Sequence, residues 1–439
     1  MKRFFHYTIP SILAMWLFAL YTMADGYFVA NYVDEMAFSA VNISLPIITS
    51  FFALGMLLST GTQSKAGFYL GRGDVTAARE IFTTGLCALF LFGFFYTAML
   101  WLFLDDVVHL LGAGSLTFGM VKEYLHILLP FGVFFMTTYQ METLAKVDGF
   151  PRFAAFSVFL AGLTNLGLDY LFIVHFSMGL WGAGLATGVA QVVSTALLLI
   201  HFLRRRGKLH FVRKMRFTRL QSLASIGLGD AISEIAIGYT VFLFNTTLLR
   251  WLGQDGVIVY TVISYLSVFV QVTMTGVAQG VAPLFSIEYG RRNFLCIHRL
   301  LWGTIAFVTL LGLSFTVGAG CFAAPLVDIF LAEGSRLQGV AADGLMKFSL
   351  SYLFTGYNVF LVTFFASLGK GRIAAGISFL RTPVAVTGVM LIYEKCFGGD
   401  KIWYVLAIAE GLTTFVGGIG LKWIMKKELS VGNHGCLPE

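Results

Sequence analysis

Asp25, Asn165, Asp169 and Thr187 stand in segments that are otherwise almost wholly apolar. Three of them bracket the stretch NLGLDYLFIVHFSMGLWGAGLAT, residues 165–187. Asn165 and Asp169 are four residues apart, so a helix puts both on one face. A charged side chain at the centre of a membrane helix costs roughly 2.5–3.5 kcal/mol on insertion scales, so each needs a reason to be there. With the Thr187 hydroxyl and a second carboxylate from Asp25, the set offers hard oxygens suited to a small cation such as Na⁺. A desolvated pair of carboxylates is equally suited to carrying a proton. The plainer alternative is hydrogen bonding between helices. It serves Asn165 and Thr187 well, but does not account for two acids in one half of the chain.

Glu234, Arg381 and Glu410 also fall well within apolar runs, and all three are candidates to line a substrate cavity. Arg381 and Glu410 lie at depths that allow pairing, and a structural ion pair is their favoured reading, because removing one partner strands the other. Glu234 either meets a cationic substrate or is protonated and structural. Asp230, one turn nearer the basic side, is expected to be solvated. Pro10, Pro46, Pro130, Pro283 and Pro383 are expected to kink helices, with Pro10 the candidate hinge. Gly276 and Gly280 form a short small-residue packing motif.

These residues need a bilayer around them. Of the 439 residues, 57% are hydrophobic and 12% charged, and mean hydropathy is +0.81. Soluble domains carry roughly 25% charged residues. Apolar runs of bilayer length fall at 8–33, 40–70, 82–104, 121–145, 153–174 and 180–203, then at 221–250, 257–287, 301–325, 344–368, 373–394 and 402–425. The expected fold is therefore an all-α polytopic membrane protein of 12 transmembrane helices. The first run is read as a retained span rather than a cleaved signal, since it is long and lacks a convincing cleavage site. Between the halves, RRRGKLHFVRKMRFTRL carries eight Lys/Arg and no acid. This divides the chain into an N-terminal lobe (1–203), a basic linker (204–220) and a C-terminal lobe (221–439).

The halves repeat. GTQSKAGFYLGRGD at 61–74 returns as GVAPLFSIEYGRRN at 280–293, and GFPRFAA at 149–155 as GKGRIAA at 369–375. Six spans per half make the repeat parallel, a transporter architecture with substrate held between two rocking halves. Basic residues collect in alternate loops: Arg72, Arg79, Lys146, Arg152, the 204–219 cluster, Arg291, Arg292, Lys370 and Arg372. Asp34, Glu35, Asp105, Asp106, Asp255, Asp328, Glu333 and Asp400 mark the other side. Lys and Arg accumulate on the cytoplasmic side, so both termini are expected in the cytoplasm and the protein in the plasma (inner) membrane. The net charge of +7 is then a loop property rather than a nucleic-acid footprint, which needs a clustered basic face. The five cysteines, Cys87, Cys296, Cys321, Cys396 and Cys436, contain no CxxC pair and imply neither a disulfide framework nor a metal site.

The chain resembles the multidrug and toxic compound extrusion (MATE) family throughout. The resemblance is carried by Pro10 fifteen residues before Asp25, by Asn165-x3-Asp169, and by GLWGAGLAT ending at Thr187, eighteen residues beyond Asp169. This spacing is similar to the N-lobe cation site of prokaryotic members, where aspartates, asparagine and threonine serve proton or sodium coupling. The resemblance implies two six-helix lobes, a V-shaped cavity between them, and drug/cation antiport. Some relatives also use acids in the seventh and tenth spans. Glu234 matches the first, but the tenth span, GYNVFLVTFFASLGKG, has no acid, so a complete C-lobe site of that kind is not expected.

The expected function is a secondary antiporter that exports amphiphilic, often cationic compounds in exchange for H⁺ or Na⁺. It acts without a cofactor, as a monomer, on small-molecule substrates in the lipid bilayer and with no nucleic-acid partner. The alternative is a flippase of lipid-linked precursors, which needs several cavity Arg/Lys for a diphosphate where only Arg381 is deep enough. A more distant alternative is a membrane-embedded enzyme. However, the eight histidines lie near span ends or in loops, and no HExxH, GxSxG or Walker A motif occurs.

Overall fold

In the computed structural model, residues 2–331, 335–396 and 399–429 are described. Glu333, His434 and Cys436 lie outside the described residues. Eleven helices among the described residues are long and apolar enough to cross a membrane. One, Phe217–Gly290, runs for 74 residues, more than twice what a bilayer needs. It breaks at Gly253, whose φ of 66° and ψ of −155° are open to glycine and costly for any residue with a Cβ. Counting its arms separately yields the twelve expected spans.

In chain order these are α1 (Lys2–Tyr32), α2 (Glu35–Gly71), α3 (Val75–Leu102), α4 (Phe118–Val147), α5 (Pro151–His175) and α6 (Gly179–Leu203). The arms 220–252 and 254–290 are α7 and α8. The last four are α9 (Phe294–Cys321), α10 (Gln338–Ser367), α11 (Gly371–Cys396) and α12 (Lys401–Lys427). Spans begin and end some residues beyond their apolar runs, as at α2, where Asp34 caps the helix by accepting from the Ala37 N–H. A polar cap stops a helix better than a change in hydropathy does.

The repeated motif acts as a turn. Asp74 and Asn293 both have φ −85° and ψ 75°, and each side chain accepts from the backbone N–H three residues on. The residue before each takes positive φ, at Gly73 (84°) and Arg292 (58°). The same stop-and-restart chemistry thus joins α2 to α3 and α8 to α9.

Each half packs its own core. One sits among Phe51, Leu89, Tyr124, Leu128 and Met136, the other among Phe244, Val259, Tyr260, Leu345 and Val386. Phe95, Leu102, Phe242 and Phe415 point outward, where lipid covers apolar surface. The halves meet at backbone range on the face carrying the basic loops. Gly71 lies against the Ile287 carbonyl and Gly290 against the Phe68 carbonyl, leaving no room for side chains.

α1 belongs to both halves. Its first part lies on α8, where a Cβ at Gly276 would come within 2.7 Å of Ile12 Cα and one at Gly280 within 2.7 Å of Thr8 Cα. Trp16 Nε1 donates to Thr273 Oγ1 at 2.8 Å in the same seam. Its later part packs on α5, with Tyr21 against Gly162. Pro10 stands within the α8-bound part, inside an unbroken helix.

The basic segment between α6 and α7 is strapped down. Asp148 Oδ1 accepts from the backbone N–H groups of Lys208 (2.6 Å) and Leu209 (2.9 Å). Glu80 pairs with Arg216 at 2.7 Å and Lys214 at 3.4 Å. Charge repulsion within the segment is thereby offset by acids of the N-terminal half.

Candidate functional site

α5 is a regular α-helix from Pro151 to Asp169 and then widens into a π-turn over Tyr170–His175. Such widenings are frequent at functional positions. Asn165 and Asp169 are 1% and 0% exposed. Asn165 Nδ2 lies 3.4 Å from Thr187 Oγ1 on α6, and that hydroxyl donates to the Ala183 carbonyl at 3.0 Å. Asp25 stands on the later part of α1, which packs along the helix that carries Asn165 and Asp169. The structure thus brings all four residues to one side of the N-terminal half.

Four covered oxygens in this cluster accept no hydrogen bond from the protein: Asp25 Oδ1, Asn165 Oδ1, and Oδ1 and Oδ2 of Asp169. Buried polar atoms are nearly always partnered, and an ionised carboxylate without a partner is expensive. A proton on one of the acids, or a small cation held by these oxygens and the Thr187 hydroxyl, would answer that cost. Among the described residues no group of three or more His, Cys, Asp and Glu gathers as a transition-metal site would.

A polar cavity lies between the halves. One part, about 80 Å³, is lined by Thr60, Gln63, Asp230, Glu234 and Arg381. A second, about 200 Å³, is lined by Phe18, Tyr21, Phe52, Phe135 and Glu142. Met56, Tyr139, Glu234, Gln271 and Gln279 border both parts. A third, about 170 Å³, extends into the C-terminal half beside Arg381 and Glu410.

Arg381 sits on a second π-turn, Leu380–Val386, which contains Pro383. Its Nε donates to Glu410 Oε1 and Oε2 at 2.9 and 3.0 Å, and its Nη2 to Oε1 at 2.6 Å. Asn358 Nδ2 donates to Glu410 Oε2 at 2.5 Å and to the Glu410 carbonyl at 2.9 Å. Thr414 closes the network by donating to Asn358 Oδ1 at 3.1 Å. The ion pair read from the sequence is present, and both its members border the cavity.

Asp230 departs from its expected solvated position. It borders the cavity and accepts from Thr60 Oγ1 of α2 at 2.6 Å, because α7 turns this face toward α2. Sequence reasoning missed Glu142 and placed Lys146 in a basic loop, whereas Lys146 is buried within α4 and pairs with Glu142 at 2.7 Å. The signal was there, as an acid and a base at i,i+4 spacing at the end of an apolar run. Gln63 and Asn358 carried no comparable signal, since only their neighbours in space give them meaning.

Two six-helix halves of the same architecture, closed together on one face around an intramembrane polar cavity, define a transporter fold. The chain belongs to the MatE family, whose model matches it twice, at residues 10–171 and 231–391. The two matched segments are the two halves of the internal repeat. The chain is similar to the Multidrug export protein MepA of Staphylococcus saprophyticus, with 24% identity over 417 residues, 93% of this chain and 90% of that protein. It is also similar to MepA of Staphylococcus aureus strain NCTC 8325, at 22% over 419 residues, covering 94% and 91%. Among solved structures, the outward-facing conformation of a multidrug resistance MATE family transporter of the MOP superfamily superimposes with a TM-score of 0.91 at 20% identity, covering 97% of each chain. A MOP superfamily transporter from Pyrococcus furiosus, for which a binding pocket of reverse polarity suggests a different function, superimposes with a TM-score of 0.90 at 21% identity, covering 97% of this chain and 96% of that one.

Proposed function

We propose that the protein is a secondary antiporter that exports amphiphilic, cationic compounds in exchange for H⁺ or Na⁺ bound at Asp25, Asn165, Asp169 and Thr187. The observation that carries this reading is the set of four buried oxygens in that cluster without a protein partner. Binding one cation there cancels buried negative charge next to α1, the helix that also packs on the other half. Pro10, within the α8-bound part of α1, is the point about which the helix changes shape in this reading. Ion and substrate then occupy the protein as alternatives, which requires reciprocal coupling of their binding free energies. The relatives named as multidrug export proteins support the substrate class.

The same reading has lobes at 1–203 and 221–439 joined by 204–220, and a monomer in the plasma membrane with both termini cytoplasmic, as the loop charges favour. The flippase alternative loses support because Arg381, the deep basic residue it was expected to use, is tied to Glu410. The test is efflux of a fluorescent organic cation from proteoliposomes with H⁺ and Na⁺ gradients imposed one at a time. One gradient should drive efflux in the parent, and neither should drive it in Asp169→Asn. An Asp169→Asn protein that pumps like the parent overturns the reading.

A further inference from the structure

We infer that Arg381 and Thr382 form a receptor in the C-terminal half for an uncharged oxygen acceptor, such as an ester or amide carbonyl, on the transported molecule. This rests on the export reading above and deepens it. The cavity of about 170 Å³ in that half is walled by Val241, Val268 and Leu406 and reaches Arg381 and Thr382. Glu410 engages the guanidinium through Nε and Nη2. Nη1 makes no hydrogen bond with the described residues and is not covered by protein, so its N–H groups are left for the cavity. The second observation is independent of the ion pair. Thr382 is 7% exposed, borders the cavity, and its hydroxyl has no partner among the described residues. A threonine inside a membrane helix ordinarily donates to the carbonyl four residues back, as Thr240, Thr273 and Thr413 do here. Thr382 stands in the π-turn, where the α-helical spacing of carbonyls is lost, and its hydroxyl stays free to meet a ligand.

Both groups are donors, which fixes the chemistry of what they hold. The network through Glu410, Asn358 and Thr414 holds the guanidinium in place. Its free edge is therefore set before a ligand arrives, and little freedom is lost on binding. Glu410 already balances the Arg381 charge at 2.6 Å. An incoming anion would add an uncompensated charge to a buried place, whereas a carbonyl oxygen accepts the same N–H and O–H bonds without one. A bond from a charged donor is also stronger than one between neutral groups. Ile237 and Gln271 border this cavity and both parts between the halves. One elongated cation can thus lay its body between the halves and reach Arg381 and Thr382 with its carbonyl.

The test compares fluorescent probes that share one xanthylium cation, on the purified full-length protein. They are tetramethylrosamine, which has no carbonyl, tetramethylrhodamine methyl ester, and tetramethylrhodamine, the free carboxylate. The parent should bind the ester roughly tenfold more tightly than the rosamine, the worth of a hydrogen bond from a charged group. Arg381→Lys keeps a charge for Glu410 but lacks the free nitrogen, and should erase most of that preference. Thr382→Val, a near-isosteric change that guards against misfolding of the arginine variant, should raise the Kd for the ester about fivefold. The Kd for the rosamine should change by less than about threefold in either variant. Equal affinity of the parent for ester and rosamine, or equal losses for both in the two variants, overturns the inference while leaving the export reading intact. A free carboxylate that binds more tightly than the ester, and loses that advantage in Arg381→Lys, overturns the choice of an uncharged group. A parent protein that binds none of the probes and drives no efflux sinks the export reading itself, and the inference with it.

Discussion

The two halves of this molecule each bury charge inside the membrane, at a widened turn near the end or middle of the equivalent helix, α5 or α11, and they treat it in opposite ways. In the C-terminal half, Arg381, Glu410, Asn358 and Thr414 satisfy one another through six hydrogen bonds. In the N-terminal half, Asp25 Oδ1, Asn165 Oδ1 and both carboxylate oxygens of Asp169 stay bare toward the protein. A satisfied buried pair is a strut, since breaking it strands a charge. Unsatisfied buried carboxylates instead respond to a proton or cation. The repeat therefore duplicates a scaffold, while the polar residues placed on it give one half a closed hydrogen-bond network and the other unpartnered buried oxygens.

The largest expected effect comes from removing charge on the bare side. Asp25→Asn and Asp169→Asn should each abolish gradient-driven efflux of a fluorescent cation, with membrane expression and thermal stability close to the parent. A loss of folding in these variants would move the pair to the structural side of the comparison. On the satisfied side the outcome should reverse. Arg381→Met alone should destabilise the detergent-purified protein by about 3–5 kcal/mol, and Arg381→Met combined with Glu410→Leu should regain most of it, as replaced buried pairs do. Thermal unfolding of the two variants checks this, and a single variant as stable as the parent breaks the contrast.

Smaller effects sharpen it. Asn165→Ala and Thr187→Ala remove neutral ligands rather than charge, so they should weaken ion coupling without abolishing it, seen as a higher driving-ion concentration for half-maximal efflux. The smallest change is expected for Thr414→Val, which takes one donor from Asn358. About 1 kcal/mol of stability, with transport unaltered, is the outcome that matches a strut.

Much of this was legible in the chain itself. The twelve spans follow from bilayer-length apolar runs, because lipid forces every backbone polar group into internal hydrogen bonds. The repeat was legible because Asp74 and Asn293 recur 219 residues apart and cap their helices alike. Asp169 and Asn165 could be paired because helical periodicity fixes which neighbours share a face. The Arg381–Glu410 pair was legible from depth alone, since an unpaired charge at that depth is too costly to leave open.

What only the tertiary structure decided is which polar groups meet across different helices, and which meet nothing. Asp230 read as solvated, yet the packing of α7 on α2 gives it Thr60 and a place in the cavity. Asn358 is a polar residue in an otherwise apolar stretch, and it clamps Glu410 only because α10 meets α12. The bareness of the Asp169 oxygens is likewise a property of every helix packed around them. Sequence spacing determines faces and depths, because both are local consequences of a helix in lipid. Satisfaction of a buried charge depends on contacts between residues far apart in the chain, and those exist only in the folded protein.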